Sequence, residues 1–120
     1  MVKRTFKSFS YAFFGIKDAL RRGPNLKIHI AIGLLTLILA ALFSFSPIEW
    51  ILLIFTIFFV LTLEFVNSAL EVTVNLASPE VKEEARIAKD ISAASVLLAA
   101  IMAVAIGLIL FLPKILSLFT

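Results

Sequence analysis

The chain has 120 residues, 62% of them apolar, and a formal net charge of +3. Soluble domains average roughly 45–50% apolar residues, so a mean hydropathy of +1.11 indicates a small integral membrane protein forming one domain. The absence of cysteine excludes disulfides, thiolate nucleophiles and cysteine metal sites, and the single histidine, His29, excludes a histidine cluster within one chain.

Taken in chain order, residues 3–22 read as a surface helix. Phe6, Phe9, Phe13, Ile16 and Leu20 follow 3-4-3-4 spacing and form a narrow apolar seam. Arg4, Lys7, Tyr11 and Asp18 fall within roughly 60° of one another on another side. Seven of the eleven Lys and Arg residues lie between Lys3 and Lys27, which suits a segment lying on anionic headgroups. No nucleic-acid-reading module accompanies them, and no small-x-small cleavage pattern marks a signal peptide. Gly23-Pro24 then breaks the helix and turns the chain.

A first span is expected from about 28 to 45, with Leu26 and a snorkelling Lys27 able to extend it. Ser46-Pro47 marks a tight turn, followed by Trp50 at an interface. The second span runs from about 48 to 67, and its helix continues to Leu76. Ala77-Ser78-Pro79-Glu80 reads as a loop opening another helix, with Ser78 as N-cap and Pro79 at its first position. The third span is expected from about 91 to 112, ended by Pro113. On it Ala88, Ser92, Ser95, Ala99, Ala103 and Gly107 form a small-residue ridge suited to close helix contact. The Ser44–Glu49 turn lacks Lys and Arg, whereas the N-terminal segment and the 77–90 segment carry them. The positive-inside rule therefore puts the N-terminus and the 77–90 loop in the cytoplasm.

Within the second helix, Glu64, Asn67, Glu71 and Asn75 recur at spacings of three, four and four, within about 80° of one another. An ionisable group at membrane depth costs about 2.5–3.5 kcal/mol on insertion scales, so it usually serves a function. Two further polar groups belong to the same side: Arg86, Lys89 and Asp90, and Arg4, Lys7 and Tyr11. Carboxylates can hold Mg²⁺, basic groups can neutralise phosphate, and a carboxylate in a low-dielectric setting can act as a general base. These are parts for phosphoryl transfer. The same residues also suit a proton pathway through Glu64, as in a small oligomeric proton-coupled transporter, or interhelical hydrogen bonding alone. Three spans cannot wall off a polar site, so a symmetric oligomer is expected.

Leu63-Glu64-Phe65-Val66-Asn67-Ser68-Ala69-Leu70-Glu71 resembles the E-x-x-N-[ST]-A-[IL]-E signature of the prokaryotic diacylglycerol kinase family, which includes undecaprenol kinases. Ala88-Lys89-Asp90 looks like that family's A-K-D motif. Arg4, Lys7, Tyr11 and Gly15 match its N-terminal helix. Pro24-Asn25-Leu26-Lys27-Ile28-His29 resembles the N-[FL]-[RK]-I-H stretch of the undecaprenol-type branch.

This resemblance implies an all-α, homotrimeric inner-membrane enzyme that moves the γ-phosphate of ATP to a lipid hydroxyl with Mg²⁺. Glu64 would be the general base at the lipid hydroxyl, and Asn67 would hydrogen-bond beside it. Glu71 would bind the metal on the ATP phosphates, and Arg4, Tyr11, Lys89 and Asp90 would contact the nucleotide. Asn25, Leu26, Lys27, Ile28 and His29 would lie along the lipid's path to the site. Two positions depart from the pattern: Gly23 stands where the family usually has a second metal-binding glutamate, and Asn75 where it has an aspartate. With two carboxylates missing, a family member that binds nucleotide or lipid without catalysis is a further alternative.

Overall fold

A computed structural model describes residues 1–120 as four helices: α1 (Val2–Arg22), α2 (Pro24–Leu42), α3 (Pro47–Ala77) and α4 (Glu83–Ser117). The fold class is therefore all-α, and α2, α3 and α4 are each long and apolar enough to cross a membrane. One extended residue, Gly23 (φ −112°, ψ 105°), separates α1 from α2. The next helix restarts at once because Pro24 occupies its first turn, where a missing N–H costs nothing.

The α2–α3 connection is equally tight. Ser44 adopts a left-handed φ of 53°, and Ser46 with Glu49 forms a capping box. The Ser46 N–H donates to Glu49 Oε2 at 2.8 Å, and the Glu49 N–H donates to Ser46 Oγ at 3.3 Å. From there α3 runs for 31 residues, about 46 Å at 1.5 Å per residue. A hydrocarbon core is about 30 Å thick, so α3 extends past it, carrying Glu71 and Asn75 beyond the span.

Only 12 of 120 residues are buried, and they form narrow stripes. On α2 these are Leu26, Gly33 and Ala40, seven residues apart. On α3 they are Leu53, Thr56, Val60 and Glu64. The two helices run antiparallel: Ala40 packs in one cluster with Leu53, Gly33 faces Ile57, and Gly23 approaches Ser68. The outward faces keep Ile28, Ile32, Phe55, Phe58, Leu97 and Leu98 exposed, as a surface solvated by lipid would.

Three boundaries differ from the sequence expectation: the helix of the first span runs Pro24–Leu42 and not about 28–45, because Pro24 opens it and Ser44 turns the chain after it. Pro113 does not end the third span; it lies inside α4, which continues to Ser117. A proline removes one N–H, and membrane helices tolerate that loss. Continuing the helix also places Lys114 3.1 Å from Glu49 and 5.2 Å from the centroid of the Phe45 ring. Ser78 is not an N-cap, and Pro79 does not begin a helix. The Ser78 N–H instead donates to Val74 O at 2.8 Å, closing α3. Its hydroxyl donates to Glu80 O at 3.0 Å, so it is not accepting from a helix start. The last helix opens at Glu83, with Glu83 and Glu84 in a first turn whose dipole favours anions.

At the Glu49 end, Phe45 closes the core against Phe111, with ring centroids 4.9 Å apart, and against Trp50 at 6.0 Å. At Gly33 α2 and α3 pack closely enough that an added Cβ would sit 3.1 Å from Ile57 Cγ2. Replacing Gly33 with valine should overpack this contact by about 1–3 kcal/mol. The expected result is a lower melting temperature in detergent, largely restored in the Gly33→Val/Ile57→Ala double variant.

Candidate functional site

Glu64 is 4% exposed on the α3 face turned toward α2. Its Oε1 lies 3.1 Å from Nε2 of His29. The fold makes this pair by the same antiparallel register that sets Gly33 on Ile57, one turn farther along α2. A carboxylate removed from water needs a hydrogen-bonded partner, and His29 supplies it.

Below the pair lies a mostly apolar cavity of about 280 Å³ between α2, α3 and α4. His29 and Val60 line it near the pair, and Thr36, Thr56, Ala103 and Phe111 line it farther in. The two threonines leave little polarity in the lining, because their hydroxyls are already bonded to Gly33 O (2.8 Å) and Leu52 O (2.7 Å).

Toward the end of α3, Asn67 Nδ2 donates to Glu71 Oε1 at 3.5 Å, the outer limit for such a bond. The other side-chain atom of Asn67, Oδ1, is buried without a partner. One turn on, Asn75 Oδ1 accepts from Lys89 Nζ, tying α3 to α4. Asp90 accepts from Arg86 Nη1 at 2.6 Å, and Arg86 also donates to Glu83 through Nε at 3.3 Å. Glu83 first, and then Asp90, hold the Arg86 guanidinium more firmly charged than usual.

The structure thus brings together Glu64 with His29, Asn67 with Glu71, and Asn75 with Lys89. It does not bring Arg4 or Tyr11 into the group: both are exposed on α1, and neither is hydrogen-bonded or ion-paired to α3 or α4. Asn25, Lys27 and Ile28 are exposed, whereas Leu26 is fully buried. The His29–Glu64 contact joins residues 35 positions apart, and no spacing in the sequence signals it.

No three acidic or histidine side chains gather closely enough to enclose a metal ion. Asn67 turns Nδ2 toward the exposed Glu71 carboxylate, so a flip of its amide would set its orphaned Oδ1 beside that carboxylate as a second hard oxygen donor. The two donors then fit a divalent ion whose shell is completed by phosphate oxygens and water, as Mg²⁺ commonly arranges. They do not fit an ion caged by protein alone.

Helices and site together define a small three-span membrane protein with a buried carboxylate bonded to a histidine that lines an apolar cavity. The sequence matches the prokaryotic diacylglycerol kinase family over residues 10–111, and the chain belongs to that family. It is 37% identical to the undecaprenol kinase of Bacillus subtilis, covering 94% of this chain and 92% of the relative. It is 41% identical to a diacylglycerol kinase of Synechocystis, over 92% of this chain but 64% of that protein's length. A diacylglycerol kinase of Helicobacter pylori is 30% identical over 80% of this chain and 75% of its own. The family match begins after Arg4 and includes Tyr11 and the whole α3 stripe.

The Lys89–Asn75 bond is the cross-helix polar contact at this end of α3 and α4. Lys89→Met should lower stability by less than about 1 kcal/mol, because such exposed contacts contribute little. A melting-temperature shift of only a few degrees in detergent would bear this out, and any larger loss of activity then belongs to Lys89's own chemistry.

Proposed function

We propose that this protein transfers the γ-phosphate of ATP, with Mg²⁺, to the hydroxyl of a membrane lipid. The observation that carries the reading is the position of Glu64: a buried carboxylate bonded to His29, which lines an apolar cavity, and on the same helix face as Glu71. A lipid alcohol has the complementary shape, with a hydrocarbon body for the cavity and a hydroxyl for the carboxylate. Glu64 then accepts the hydroxyl proton as the lipid oxygen attacks phosphorus, and Asn67 helps to hold the reacting groups.

Glu71 and the free Asn67 Oδ1 are the groups that would hold Mg²⁺, which when bound offsets phosphate charge. Lys89 and Asp90 are assigned to the nucleotide, with Arg4 and Tyr11 reaching it from α1. Asn25 to His29 are assigned to the lipid's path, with Leu26 anchoring that segment in the core. Undecaprenol is favoured over diacylglycerol by the Asn25–His29 stretch and by the likeness to an undecaprenol kinase. We further assign a homotrimer in the bacterial inner membrane, with the N-terminus and the 77–90 loop cytoplasmic.

Radiolabelled phosphate transfer in micelles, with undecaprenol and diacylglycerol tested side by side, decides the activity and the lipid. Glu64→Gln should leave a folded protein with transfer reduced at least about 10²-fold, the usual scale for a general base. Retained turnover would remove the base assignment, and proton flux driven by a pH gradient without ATP would replace the kinase with a transporter.

Gly23 offers a second test. Its backbone is extended at φ −112°, and an added Cβ would approach nothing closer than Ala19 O at 3.4 Å. Gly23→Glu with Asn75→Asp should therefore fold and should lower the Mg²⁺ concentration giving half-maximal turnover. A Mg²⁺ titration of both proteins checks this.

A further inference from the structure

Resting on the kinase reading, we infer that His29 is a positioning residue for Glu64 and the route by which the captured proton leaves. Glu64 is enclosed: its side chain is 5% exposed, against 23% for His29. His29 is also the one titratable group bonded to it, through Nε2 and Oε1 at 3.1 Å. From α3, Glu64 is the charged group that faces the imidazole. Around the cavity that His29 lines, α4 contributes Ala100, Ala103 and Val104, which carry no charge. On α2 itself Lys27 is exposed. On α1, Asp18 and Arg22 line a separate groove beside Ser68. A proton taken up by Glu64 therefore has no other bonded acceptor.

The lipid oxygen forms its bond to the γ-phosphorus, and the bond from that phosphorus to the bridging oxygen breaks, its electron pair leaving on ADP. The hydroxyl proton passes to the Glu64 carboxylate. At rest the Nε2–H of His29 donates to the carboxylate; once Glu64 holds the proton, exchange through solvent leaves His29 as its Nδ1–H tautomer, whose Nε2 lone pair accepts the acid proton. The imidazolium so formed releases its Nδ1 proton, which restores the Nε2–H donor and leaves Glu64 a carboxylate again. Through the same contact, His29 fixes which oxygen of Glu64 faces the substrate.

Because His29 is the sole histidine, ¹⁵N-histidine labelling of the full-length protein in micelles gives one imidazole and needs no assignment. The Nε2 resonance should differ between wild type and Glu64→Gln; identical spectra would mean that no pair forms and would overturn the inference. In the transfer assay, His29→Ala should lose about 10²-fold in kcat, the scale of acid–base assistance, with KM for ATP little changed. Added imidazole should restore at least a tenth of the lost turnover. His29→Gln keeps a hydrogen-bonding amide but cannot carry the proton, so it should stay folded and slow. Either variant turning over like wild type, or a slow His29→Ala that imidazole does not revive, overturns the role. A wild type that transfers no phosphate removes the kinase reading and this inference together. An active wild type with no effect of His29 removes only the inference.

Discussion

A carboxylate inside a membrane helix cannot be left without a partner, and the arrangement of α2 against α3 follows from that constraint. Glu64 is buried, and the water it gives up is replaced by a single contact from His29. To deliver that imidazole, α2 must lie close along α3. Gly33, one turn from His29, removes the side chain that would otherwise hold the helices apart. Farther along, Ala40 again presents a small residue, in the cluster with Leu53, Phe45 and Leu110. Hydrophobic pressure between helices is weak in lipid, so close backbone approach and a few polar contacts carry the specificity.

The polar groups divide between the two ends of the bundle. At one end Glu49, Lys114, Phe45 and Trp50 form a compact closure in which every charge has a partner. At the other, polar capacity remains unused: Asn67 Oδ1 has no donor, Glu71 is exposed, and α1 lies without polar contact to the stripe. An end with unspent hydrogen-bonding groups is where a charged ligand can add partners without breaking existing ones. The length of α3 makes this possible, since it carries the stripe from a buried position at Glu64 to an exposed one at Asn75 along one face.

Asn75 and Gly23 add no charge to this end of the bundle. Asn75 accepts from Lys89, an exposed contact that an amide makes without adding a charge. Gly23 serves the one-residue break between α1 and α2, yet its extended backbone does not require glycine. A charged side chain at this position would therefore change the local charge without requiring a change of fold.

The three spans, the long second helix and the stripe were legible from the sequence, because membrane hydropathy and a 3.6-residue period are local properties. The Ser46-Pro47 turn was legible for the same reason, its cap being made by residues three apart. Pro113 misled because α4 continues to a distant contact, Lys114 with Glu49, and Ser78 misled because two local roles competed and its N–H closes α3 on Val74 O. Sequence alone determined that Glu64 is a carboxylate in an apolar helix and therefore demands a partner. Only the tertiary structure decided that the partner is His29, since the two lie 35 residues apart and the register of two antiparallel helices alone brings them within 3.1 Å.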